Sequence, residues 1–224
     1  MNTKIKVHQV IVRISILCSA MSILALTWNL YHVYTINKDG EENFILQDAS
    51  NENSVYKIGH NPTALNKKYF AELSEAVKKN DLPGISSSLV KTFISEYFNW
   101  TNKDGNYDVG GMNYIYTDMQ KNFYQFSIDG FYRDFDAAIS KYGHKELLEV
   151  EDVVIDEVKE ISPLSLEIEK DDDKKTTVTF NAYQVHAKWT YKNHQMDSSE
   201  VMHAAEFIIV DHQKRWEISS VESK

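Results

Sequence analysis

Near Lys145 the hydrophobic rhythm of the chain changes, and that change limits the folds open to it. Before this point apolar residues recur every three or four positions; after it they alternate. The first spacing lays side chains along one stripe of a helix, the second along one face of a strand. The alternating half contains "EVEDVVIDEVKEI", "LSLEIEK", "TTVTFNAYQVHAKWTY", "SEVMHAAEFIIVDH" and "RWEISSVE", all rich in β-branched and aromatic residues. Ser162 with Pro163, the acidic run Asp171 to Asp173, "KNHQMD" and "DHQK" separate them. Short connections favour antiparallel neighbours, so this half predicts a meander of long strands. Helices followed by strands make an α+β domain, with the helices packed on one face of a curved antiparallel sheet. The alternation slips phase at Ala182, which predicts a bulge there.

Four helices are expected ahead of the strands. Asn61 as N-cap and Pro62 at the first helical position open one that carries Leu65, Tyr69, Leu73, Ala76 and Val77 on a stripe and ends near Asn80. The next is capped within Ser86 to Ser88 and ends around Asn99 to Thr101. Its apolar residues Ile85, Leu89, Val90, Phe93, Ile94, Tyr97 and Phe98 form one continuous stripe. A third starts after Gly110 and Gly111 and runs through Met112, Ile115, Met119, Phe123 and Phe126. Asp129 caps a fourth, with Phe131, Phe135, Ala138, Ile139 and Tyr142 on one face and Gly143 past its end.

The N-terminal region follows a different rule. Residues 10–31, "VIVRISILCSAMSILALTWNLY", are apolar apart from Arg13 and a few small hydroxyl residues. At ~1.5 Å per residue such a helix is about 30 Å long, the thickness of a bilayer's hydrocarbon core. Lys4, Lys6 and Arg13 lie before or within its start, and Trp28, Tyr31 and Tyr34 supply aromatic anchors at the far end. This asymmetry puts the N-terminus in the cytoplasm. A cleaved signal peptide has similar opening regions, but large aromatic residues occupy the position where its cleavage site would fall. Leu17 before Cys18 likewise argues against a lipoprotein. The expected organisation is a cytoplasmic tail (1–9), a transmembrane helix (10–34), a polar stalk (35–61) with short strands at most at 44–46 and 55–58, and an extracytoplasmic α+β domain (62–224). Cys18 is the single cysteine, so that domain relies on its core for stability.

Charge narrows the partners. The whole chain carries −9; past residue 35 the 33 acidic and 21 basic residues carry −12. A domain this acidic repels phosphate backbones, so direct nucleic-acid contact is not expected.

The sequence has no nucleophile elbow, phosphate loop, zinc-spaced His and Cys set or dinucleotide fingerprint. A turn centred between His194 and Gln195 would pair His186 with His203 and Gln184 with Ala205 across two strands. No third ligand accompanies the pair, and Asp171 to Asp173 read as a solvated hairpin tip, so no metal, cofactor or catalytic residue is assigned. Asn99, Trp100 and Thr101 form a glycosylation sequon. Phe93 and Tyr97 belong to the buried stripe, whereas Trp100 lies one step past it. With Tyr107, Tyr114 and Tyr116, Trp100 is expected to form an exposed aromatic patch suited to protein contact.

A short basic tail, one anchor, a polar stalk and an acidic domain of helices then strands resemble the bitopic scaffold family of conjugative and type IV secretion machines. That family comprises the eighth VirB component and its TcpC-like Gram-positive relatives, whose outer domain has the nuclear transport factor two-like fold. The residues that carry the resemblance are the anchor at 10–31, the helix "VKTFISEYFNWTNKDG" and the strand series at 149–222. The resemblance implies a non-enzymatic assembly protein that oligomerises outside the membrane and holds other secretion or conjugation components. Two other readings share the topology. One is a surface-tethered binding or immunity protein that captures a cognate protein. The other is an enzyme of the same fold with a cone-shaped pocket, as in ketosteroid isomerase, for which Tyr183, His186 and His203 are the nearest candidates.

Overall fold

The structure is a computed structural model and describes residues 55–170 and 174–223. The expected membrane span, Cys18, the short strand at 44–46 and Asp171 to Asp173 lie outside the described residues. Among the described residues no helix is long and apolar enough to cross a membrane.

The α+β class is observed, with helices preceding an antiparallel sheet. Helix α1 (Ala64–Lys79) begins two residues later than expected, because Thr63 rather than Asn61 is the N-cap. The Thr63 hydroxyl accepts from Asn66 N while the Asn66 side chain accepts from Thr63 N, a reciprocal capping box. Asn80, left-handed at φ 52°, ends the helix at the expected place. Helix α2 (Leu82–Tyr97) starts a turn earlier than expected. Asp81 accepts from Gly84 N, and Pro83 sits in the first turn, where its missing N–H costs nothing. Ser86 and Ser88 are therefore inside the helix, donating to the carbonyls of Leu82 and Gly84. Every residue of α2 from Thr92 to Tyr97 is buried, as a helix caught between α1 and the sheet must be.

The expected third helix is broken. Two 3-10 turns, Met112–Tyr114 and Thr117–Met119, flank an extended Ile115 that bridges Ile218 in parallel, with Tyr116 N donating to Ile218 O at 2.9 Å. A sheet edge thus takes backbone that periodicity assigned to a helix. Helices α3 (Gln120–Asp129) and α4 (Phe135–Tyr142) follow.

Strands β1 (Val150–Glu160), β4 (Ala182–Tyr191), β5 (Ala204–His212) and β6 (Arg215–Ser223) form one antiparallel sheet in the order β1-β4-β5-β6. Strands β2 (Leu164–Lys170) and β3 (Lys174–Phe180) form a separate two-stranded arm between β1 and β4. The phase slip at Ala182 marks a strand boundary rather than the expected bulge: β3 ends at Phe180, β4 starts at Ala182 in regular register with Val210, and Phe180, Ala182 and Tyr183 are all buried around the bend. Ser162 fixes the bend, its hydroxyl accepting from Ala182 N at 2.8 Å. Tyr116, Phe180, Ala182 and Val210 form a small second core at its base.

The β4–β5 register differs from expectation. Val185 faces Phe207 and His186 faces Glu206, so Gln184 is opposite Ile208 rather than Ala205. Residues 192–203 form a loop, not a tight turn at His194. On β4 and β5 the odd positions Val185, Ala187, Trp189, Ala205, Phe207 and Ile209 are buried against the helices.

Both sheet edges are partly sealed by tyrosine hydroxyls. At β1, Tyr69 OH accepts from Val153 N at 3.0 Å and donates to Asp152 at 2.8 Å. At β6, Tyr56 OH accepts from Trp216 N at 3.1 Å and donates to Trp216 O at 2.8 Å.

Candidate functional site

Residues 55–61, read from sequence as the end of the stalk, lie along the domain as a strap. Tyr56 is buried on β6, the Lys57 carbonyl accepts from Asn113 Nδ2 at 2.7 Å, and Gly59 N donates to Glu96 at 2.9 Å. Farther on, His60 contacts Asp104 at 3.0 Å and Asn102 Nδ2 donates to Asn61 O at 2.8 Å. Glu96 is the hub beneath the strap. Its carboxylate accepts from Gly59 N, from Tyr114 OH at 3.0 Å and from Gly111 N at 3.3 Å. Burial pushes the Glu96 carboxyl up, opposed by these donors and by the nearby Lys103 ammonium. Burial pushes Lys103 down. Glu96 is 3% exposed and tied to three separate segments through Gly59, Gly111 and Tyr114, so the group organises the fold.

The Gly110, Gly111 turn is shaped by contact with α2. A Cβ on Gly110 would lie 2.0 Å from the Glu96 carbonyl oxygen. On Gly111, at φ +74°, a Cβ would lie 2.6 Å from the Phe93 ring. This close approach lets the chain double back over α2 and then form α3, leaving a cleft of about 600 Å³ between α3, the end of α2 and β6.

The cleft is apolar and aromatic. Phe93 and Tyr97 stack at 5.3 Å, Tyr97 and Phe131 at 5.2 Å, and Phe123 tilts against Tyr97 at 5.2 Å to form the floor. Met119 and Phe126, both placed by sequence in the third helix, stand at the mouth, 47% and 72% exposed. Residues 218–221 of β6 make the opposite wall. Glu200 is the single charged side chain in the lining; Asn122, Ser219 and Ser220 are its other polar residues. Such a surface offers hydrophobic contact with a few hydrogen-bonding groups. Exposed Phe126 within a sequence rich in phenylalanine gave no signal that could have separated it from core residues.

The structure disperses the residues singled out from sequence. Trp100, Tyr114 and Tyr116 are buried at 3%, 0% and 3% exposure, and only Tyr107 is exposed, so the expected aromatic surface patch does not form. The backbone N–H of Trp100 donates to Leu148 O at 2.8 Å, and its ring packs against Phe131, Tyr132 and Phe135. Tyr114 serves Glu96, and Tyr116 joins the second core. Tyr107 receives a hydrogen bond at its carbonyl from Tyr124 OH.

The weak pocket candidates lie outside the cleft lining. Tyr183 is buried edge-on to Trp216 at 5.4 Å, and burial raises its pKa. His186 lies 2.9 Å from Glu206 on the sheet face away from the helices. His203 lies outside β5, its Nε2 2.8 Å from Ser198 O. The register error thus removes the expected pairing of the two histidines. Among the described residues no group of three or more His, Cys, Asp or Glu side chains is arranged to hold a metal ion. The sequon asparagine Asn99 is 1% exposed and accepts from Thr101 Oγ1 at 3.0 Å, which hides it from modification in the folded domain.

A second buried carboxylate, Glu217, also escaped the sequence reading. It accepts from Thr117 N at 3.1 Å and Thr117 Oγ1 at 2.8 Å, and lies 3.0 Å from His212 Nδ1. Arg215 Nη2 donates to Asn113 Oδ1 at 2.7 Å beside it. This cluster pins the two 3-10 turns to β6. Comparison with known proteins gives no match: no family model, no curated protein and no solved structure aligns with the chain.

Proposed function

We propose that the chain is a membrane-anchored, non-enzymatic assembly component of a conjugative transfer or type IV secretion complex. In this reading residues 10–34 are the anchor, and the α+β domain is a nuclear transport factor two-like module that works outside the membrane. The carrying observation is the aromatic cleft, whose mouth exposes Met119 and Phe126 to solvent. Large exposed apolar side chains around a concavity are what a protein contact site requires. Topology supports the same reading. If β1 with β2, and β3 with β4, are taken as two long bent strands, the sheet is a four-strand meander under helices. That is the arrangement the resemblance implies.

The test is complementation. In a host whose mobile element carries this gene, deletion is expected to abolish DNA transfer. Wild type should restore transfer, whereas Phe126→Asp should not, at equal protein level in the membrane. Undiminished transfer after deletion would overturn the proposal. A tight one-to-one complex with a toxin would instead support the immunity reading.

A further inference from the structure

The edge of β6 is protected along half its length. Backbone groups of odd-numbered β5 residues face β4, as the bonds from Trp189 N to His203 O and from Asp211 N to Asn181 O require. The even-numbered β5 residues therefore face β6, pairing Glu206 with Glu222, Ile208 with Ser220 and Val210 with Glu217. Across β6, Trp216 and Ile218 point outward. Tyr56 caps the first and Tyr116 N caps the carbonyl of the second. The bulge between Ile208 and Ile209 of β5 inserts Ser219 and shifts the phase by one, so the next outward residues are Val221 and Ser223. Among the described residues nothing pairs with their outward backbone groups.

An uncapped edge strand is a template for strand pairing, and proteins usually blunt it. The other edge of the sheet, β1, carries two bulges, five acidic residues and the Tyr69 cap. At β6 the caps stop where the cleft begins, and Val221 itself lines the cleft. Backbone donors and acceptors thus stand in a row beside an apolar trough. This pairing of features suits an extended peptide, which uses its main chain on the edge and alternate side chains in the trough.

We propose that β6 accepts an extended segment of a partner protein by strand addition at Val221 and Ser223, with alternate apolar side chains of that segment seated in the cleft. Basic flanks fit it best, since Glu200 lines the trough, Glu222 is exposed on β6, and no Lys or Arg is in the lining. The inference deepens the assembly reading and rests on it for the partner's being a protein. A second copy of this chain and a helix are the competing occupants.

The probe is a synthetic peptide that alternates valine and threonine between terminal lysines, added to the full-length chain in lipid nanodiscs. A same-composition scrambled peptide and an analogue N-methylated at alternate amides serve as controls. The alternating peptide is expected to slow amide exchange at Val221 and Ser223 at least tenfold, and either control to bind at least tenfold more weakly. Val221→Pro removes one outward N–H without touching the β5 ladder, a substitution edge strands tolerate. It should abolish binding with exchange in β4 and β5 unchanged. Equal binding of the methylated analogue, binding without protection at Val221 and Ser223, or no binding by wild type would each overturn the proposal. A dimer already protected at these two amides without peptide would assign the edge to a second copy. Retained transfer defects for Phe126→Asp alongside a failed peptide test would sink strand addition alone and leave the assembly reading standing.

Discussion

Replacing Tyr56 by Phe isolates the contribution of one hydroxyl to the strap. The ring would keep its contacts with Tyr114 at 6.0 Å and with the Arg215 guanidinium at 5.3 Å. What is lost is the group that both accepts from Trp216 N and donates to Trp216 O, leaving two buried main-chain groups without that partner. An unsatisfied buried polar group costs about 1–3 kcal/mol, and water entering at a sheet edge reduces this, so about 2–4 kcal/mol is expected for the pair. With a urea dependence of about 2 kcal/mol per molar, the unfolding midpoint should fall by about 1–2 M. Trp216 N–H exchange should accelerate in parallel. The substitution also has a pH signature. Burial raises the Tyr56 hydroxyl above its ordinary value of 10, so its contribution is fully present below pH 10 and is lost as pH climbs through the higher folded value. Tyr56→Phe should therefore lose stability less steeply than wild type above pH 10. A midpoint shift below about 0.3 M would refute the claim that this hydroxyl seals the edge, since it corresponds to about 0.6 kcal/mol at that slope.

Other substitutions test separate parts of the account. Gly111→Ala combines a positive φ with a 2.6 Å approach to Phe93, and should destabilise by about 1–3 kcal/mol in thermal melts. Lys214→Gly should do the opposite by about 0.5–1 kcal/mol, because Gln213 and Lys214 both have positive φ in the two-residue β5–β6 turn, where glycine is at ease. Phe126→Asp should leave the unfolding free energy within about 0.5 kcal/mol of wild type while removing partner contact, because the ring is 72% exposed. A large loss of stability would instead make Phe126 part of the core.

The α+β class and the strand segments were legible because alternation and turn residues agree over most of the second half. The buried stripe of α2 was equally plain. The β4–β5 register follows the alternation and not the turn. Apolar Val185, Ala187, Trp189, Ala205, Phe207 and Ile209 are all odd, and only a register that pairs odd with odd puts them on one face. Centring a turn between His194 and Gln195 pairs odd with even. The cleft was illegible for a different reason. It depends on the chain leaving α2, doubling back at Gly111 and lending Ile115 to β6, a long-range competition that local periodicity does not register. Glu96 was hidden inside "ISEYF", where a lone carboxylate among buried neighbours was the available clue.

The central claim is that the cleft and the adjoining β6 edge form the working surface of the domain. Photo-crosslinking in native membranes tests it most directly, with the reactive residue placed at Phe126 or, as a control, at Val154, which is 53% exposed on the opposite sheet face. The account predicts a discrete adduct with another component of the transfer machinery from position 126 and none from 154. Adducts from 154 alone, or equal labelling from both positions, would contradict it.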